Sequence, residues 1–140
     1  MPLLDYMVLA DYVRQDGGVI HIMGAGVDTI GAPALPSVQP LGVAMRISFD
    51  TTEQIGEDHR LTVTFVGPDQ PVLSVTARFA TPQRPPGVPE HWRAAVGIAL
   101  QMPVPLARYG DYSCELDIDD GAITKSFEFR VIRPVARPGN

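Results

Sequence analysis

Five stretches of this chain alternate apolar and polar residues with a period of two. Val43, Met45, Ile47 and Phe49 alternate with Ala44, Arg46 and Ser48. Leu61, Val63 and Phe65 alternate with Thr62 and Thr64, and Leu73, Val75, Ala77 and Phe79 with Ser74, Thr76 and Arg78. Tyr112, Cys114, Leu116 and Ile118 alternate with Ser113, Glu115 and Asp117, and Phe127, Phe129 and Val131 with Glu128 and Arg130. A strand sends successive side chains to opposite faces, so each run has one face for a core and one for water. No segment sustains a helical period. The best helical signal, Asp50-Thr-Thr-Glu53, has capping-box spacing, but Gly56 follows closely and limits it to one turn.

The breaks between runs are made of turn residues. Asp16-Gly17-Gly18, Gly67-Pro68-Asp69 and Asp119-Asp120-Gly121 each separate two apolar runs and predict hairpins. Strands joined by short turns pair antiparallel. Prolines 33, 36 and 40, and prolines 82, 85, 86 and 89, exclude helices from their segments. The expected fold is an all-β, antiparallel, immunoglobulin-like sandwich of about seven to nine strands. Residues 1–133 form a single domain in this reading, and 134–140 a frayed tail.

The stretch VIHIMGAGVDTIG (19–31) raises the question of a dinucleotide site. The glycine fingerprint needs a third glycine at 29, where Thr29 stands, and a helix opening there to present its N–H groups. Val27 to Ile30 are strand formers and Pro33 follows. Gly24 and Gly26 therefore predict a bend or bulge, and no cofactor is expected.

Net charge is −5, Lys125 is the only lysine, and the ten arginines are scattered. That balance repels a phosphate backbone and argues against nucleic acid. Asp5 and Asp11 interrupt the first apolar stretch, which has no basic leader, so no secretory signal is expected. No run of 18 apolar residues exists, so no membrane span is expected. A lone cysteine, Cys114, fits a reduced, cytoplasmic setting.

Catalytic chemistry has little support in the sequence. His21, His59 and His91 lack metal-ligand spacing. Asp117, Asp119 and Asp120 precede Gly121 one place too early for a calcium loop, and no glutamate closes it, so a solvated hairpin tip is expected. Cys114 alternates inward and predicts an inert thiol. Ser113 lies in no nucleophile elbow. No catalytic and no metal-binding residue is assigned.

Tyr112 stands two residues before Cys114, the spacing of a tyrosine corner, in which the hydroxyl bonds back to the chain upstream. Structural roles are expected for Tyr112, Gly17, Gly18, Gly24, Gly26 and Asp28. Two surfaces suggest association. Met7, Leu9 and Val13 lie on one face of a strand whose other face, Val8, Ala10 and Tyr12, is also apolar. Opposite Val96, Ile98 and Leu100 stand the small residues Ala95, Gly97 and Ala99, as if covered by another chain. The loop around Arg84, Pro85, Pro86 and Trp92 offers a stiff polyproline segment.

Taken together, Leu9-Ala-Asp11-Tyr with Asp16-Gly-Gly18, Ile22-Met-Gly24-Ala-Gly26-Val-Asp28-Thr-Ile30, the proline-rich loop and Gly110-Asp-Tyr112 resemble an uncharacterised family of small bacterial β-sandwich proteins. The resemblance implies a fold and no activity. The expected function is a non-enzymatic, cytoplasmic protein-interaction or structural module with an unknown protein partner or a second copy of itself. The alternative is a small-ligand-binding sandwich or an unrecognised hydrolase with a pocket near His21 or His91.

Overall fold

A computed structural model describes residues 2–135; of the tail expected at 134–140, residues 136–140 lie outside the described residues. Among the described residues nine strands form: β1 (Leu3–Asp16), β2 (Val19–Ala25), β3 (Thr29–Gly31), β4 (Ser37–Phe49), β5 (Asp58–Val66), β6 (Pro71–Ala80), β7 (Ala94–Leu106), β8 (Gly110–Ile118) and β9 (Ile123–Ile132). They make two packed sheets, in the orders β2-β1-β4-β7 and β3-β9-β8-β5-β6. Among the described residues none is helical, and no helix is long and apolar enough to cross a membrane. The Asp50–Glu53 segment is a turn instead, because Asp50 Oδ1 accepts from the Thr52 amide at 2.9 Å and closes the chain locally.

The alternating positions meet between the sheets. Leu41, Val43, Met45, Ile47 and Phe49 of β4 pack with Leu61, Val63 and Phe65 of β5 and with Tyr112, Cys114, Leu116 and Ile118 of β8. Each such side chain contributes about 2 kcal/mol on leaving water. The thiol of Cys114 is buried here, and loss of water pushes its pKa up to about 12.

All pairings between neighbouring strands are antiparallel except one. The short strand β3 runs parallel to β9, with Thr29 opposite Arg130 and Gly31 opposite Ile132. This corrects the expectation of a wholly antiparallel sandwich. The physical reason lies at Gly24-Ala25-Gly26. Gly24 and Gly26 both take positive φ, and the Leu9 carbonyl accepts from the Gly26 and Val27 amides at 2.9 and 3.2 Å. The chain turns out of one sheet and crosses to the other. Asp28 joins it there through its main-chain carbonyl, which accepts from Arg130 N–H at 2.9 Å, while its side chain is exposed. A Cβ on Gly24 would lie 2.9 Å from Asp11 Cγ, so that bend admits no side chain.

A second correction concerns Met7, Leu9 and Val13. They form no free surface: all three are buried. Met7 and Leu9 join the core between the sheets, whereas Val13 packs with Ala10 and Ala44 on the opposite face. The cause is the β1–β2 hairpin, turned at Gly17 and Gly18 (φ 54° and 85°). It folds over the outside of the four-stranded sheet. Ile20 and Val8 pack there with Ala10, Ala44 and Ala99. Gln101 clamps it, accepting from Val13 N–H at 2.9 Å and donating to the Asp11 carbonyl at 3.1 Å. Gln15 donates to the Gly97 carbonyl at 2.9 Å. The small residues of β4 and β7 are thus covered by this chain's own hairpin.

Candidate functional site

One end of the sandwich carries a cleft of about 560 Å3 between the 50–57 loop and the proline-rich loop. Its wall includes Phe49, Ile55, Thr81, Arg84, Glu90 and His91. Thr81 directly follows β6 and is fixed by its main chain: its N–H donates to the Glu57 carbonyl and its carbonyl accepts from Gly56 N–H, both at 2.9 Å. The Arg84 guanidinium donates to the carbonyls of Pro89 (2.9 Å) and Trp92 and braces the loop. The prolines 85 and 86 and the Trp92 ring remain exposed. Thr52 hydroxyl and amide hold the Asp50 carboxyl well below the usual carboxylate range at the mouth of this cleft.

Behind Thr81 lies a group that the sequence concealed. His59, the second residue of β5, is 4% exposed and lies between the rings of Phe49 and Phe79 at 5.3 and 5.1 Å. Its Nδ1 is 2.7 Å from Asp119 Oδ2, and its Nε2 is 2.7 Å from Thr81 Oγ1. A carboxylate only accepts, so Nδ1 carries a proton; in the neutral imidazole Nε2 then accepts from the Thr81 hydroxyl. Asp119 is held in turn, its Oδ1 accepting from Arg60 N–H at 3.0 Å and its own N–H donating to the Arg60 carbonyl at 2.9 Å. Asp119 and Asp120 both take positive φ, at 53° and 51°. Unfavourable geometry of this kind persists where bonds over-determine it. The expected solvated tip is therefore partly a structural anchor. No spacing motif could reveal this chain of groups, because its members lie 60 and 22 residues apart.

The remaining positions are dispersed. Tyr112 OH donates to the Arg108 carbonyl at 2.7 Å, the geometry of a tyrosine corner. His21 stands on the outward side of the hairpin, 3.8 Å from Asp16 Oδ2. Among the described residues, no three His, Cys, Asp or Glu side chains are placed to hold a metal ion.

The outward side of that hairpin is the second notable surface. Strand β2 is an end strand of its sheet, with one hydrogen-bonding side unpaired. Val19 and Met23 are exposed on it, beside Tyr12 of β1, and Val19–Ala25 holds no Asp, Glu, Lys or Arg.

Two packed β-sheets with one shared core define the molecule as an all-β sandwich. Residues 5–132 match the model of a family of unknown function, DUF6941, and the chain belongs to that family. None of the curated proteins matches it.

Proposed function

We propose that this protein is an immunoglobulin-like interaction module that binds a partner protein along the open edge of β2. The observation that carries the reading is an apolar end strand, free of charged side chains, with Tyr12, Val19 and Met23 exposed beside it. Such an edge offers unpaired main-chain groups to an extended segment of another chain, and the side chains give selectivity. The partner can be a second copy, since antiparallel pairing of β2 with itself brings no like charges together. The immunoglobulin-like reading is supported by the parallel β3–β9 pairing, the crossing of the N-terminal segment between sheets, and the Tyr112 corner. A cytoplasmic location fits the unpaired thiol of Cys114.

The test is a light-scattering mass followed by affinity capture, with wild type and Val19→Glu/Met23→Glu compared. Loss of the oligomer or of the captured partner, with an unchanged melting midpoint, supports the edge. Equal mass and capture in both proteins refutes it.

A second reading, a small-ligand site, is favoured by the cleft beside His91. Apolar Phe49, Ile55 and Ala94 share its wall with polar and charged side chains, among them Asp50, Thr51, Arg84 and His91, a mixture that suits a small polar organic molecule.

A further inference from the structure

We propose that Thr81 is an acyl-accepting nucleophile, with His59 as its general base and Asp119 as the group that orients the imidazole. The proposal deepens the cleft reading and is independent of the β2 edge. It rests on three facts. Hydroxyl, imidazole and carboxylate are joined in that order by two contacts of 2.7 Å. Thr81 lines the cleft with 4% of its surface exposed, and the histidine behind it is shielded by two phenylalanine rings. The carboxylate is itself fixed by the Arg60 amide. A nucleophile, a base in hydrogen-bond reach and an orienting third group are the parts that activate a weak hydroxyl.

The backbone narrows the substrate. Thr81 N–H is committed to the Glu57 carbonyl, and residue 82 is a proline without an N–H. No main-chain donor beside the nucleophile is left for a developing oxyanion. The side-chain donors lining the same cleft are Thr51, His91 and Arg84, whose guanidinium also holds the Pro89 and Trp92 carbonyls. Weak oxyanion support favours substrates with good leaving groups, so the class is a small activated acyl ester. Phe49, Ile55 and Ala94 provide apolar wall for its acyl group.

The step balances without a co-reactant other than water. Thr81 Oγ1 attacks the carbonyl carbon while its proton passes to His59 Nε2. The bond from carbon to the leaving oxygen breaks, and that oxygen takes the proton from His59 and departs as an alcohol. Water then gives a proton to His59 and adds to the acyl carbon. The Thr81 oxygen leaves, recovers the proton, and a carboxylic acid is released. Asp119 stays ionised throughout and holds Nδ1–H.

The experiment uses the full chain with p-nitrophenyl acetate. Nitrophenol release and an acetyl group mapped to Thr81 by peptide mass spectrometry are expected. Thr81→Ser keeps both. Thr81→Val removes both, and His59→Asn lowers turnover about 100-fold. Asp119→Asn lowers kcat with KM unchanged, which a merely structural anchor would not do in protein of native melting midpoint. A folded wild type without an acetyl group on Thr81, or turnover that survives Thr81→Val, overturns the proposal. Should the valine variant not fold, the adduct maps of wild type and Thr81→Ser decide alone: an acetyl group at position 81 in both supports it, and its absence refutes it.

Discussion

The two sheets turn very different outer faces away from their common core. Outside the five-stranded sheet lie Thr62, Thr64, Ser74, Thr76, Glu115 and Lys125, half-buried or exposed, with hydroxyls paired across strands (Thr62 to Thr76 at 3.3 Å, Thr64 to Ser74 at 3.2 Å). Outside the four-stranded sheet lie Gly42, Ala44, Gly97 and Ala99, and the β1–β2 hairpin covers them. Both faces occupy the off-core positions of alternating strands. The polar one was built to meet water. The small one was built to let another layer of chain approach closely, and that layer is local.

This contrast can be broken by filling the small face. A Cβ on Gly42 would sit 2.7 and 2.8 Å from the two methyl carbons of Val13, a side chain stiff at its own Cβ. Gly42→Val should cost about 3 kcal/mol in urea unfolding, at the upper end for overpacking. A cost below about 0.5 kcal/mol would mean that the hairpin does not rest on the sheet in solution.

The core that both sheets share gives a pH dependence. The Cys114 thiol is held neutral by burial, with its pKa raised from 9.0 to about 12. The unfolded chain ionises first, so the protein keeps full stability from this group below about pH 9 and loses it progressively towards pH 12. Urea midpoints should fall over that window in wild type and fall less in Cys114→Ala. Equal slopes in the two proteins would show that the thiol is not desolvated.

The smallest effect belongs to the polar face. Thr64→Val breaks the pair with Ser74, but water replaces it at an exposed site, so the change should stay within about 0.5 kcal/mol. A larger loss would mean that this face too is covered.

Much of the fold was legible because a period of two specifies faces directly. The runs at 43–49, 61–65, 73–79, 112–118 and 127–131 all lie within strands with their larger members inward. Gly17-Gly18 and Tyr112 could be read because turn and corner chemistry is local. Periodicity does not say what covers a face. Ala95, Gly97 and Ala99 signalled a close neighbour; at Gly97 and Ala99 that neighbour comes from residues 8–20, far away along the chain. The parallel placement of β3 depends on a crossing that three strand-forming residues cannot announce. His59 was hidden for the same reason: Phe49, Phe79, Thr81 and Asp119 converge on it only after four strands have been stacked.

The crossing at Gly24–Gly26 has a mechanical consequence. Residues 3–31 place one strand beside β4 and another beside β9, so the first fifth of the chain is stitched into both layers. There is no seam along which one layer could peel off with its strands intact. Lifting β3 away would pull Ile30 out of the shared interior, and lifting β1 away would strip Met7 and Leu9 from it. The suture ties the two layers into one cooperative unit, lost together rather than in turn.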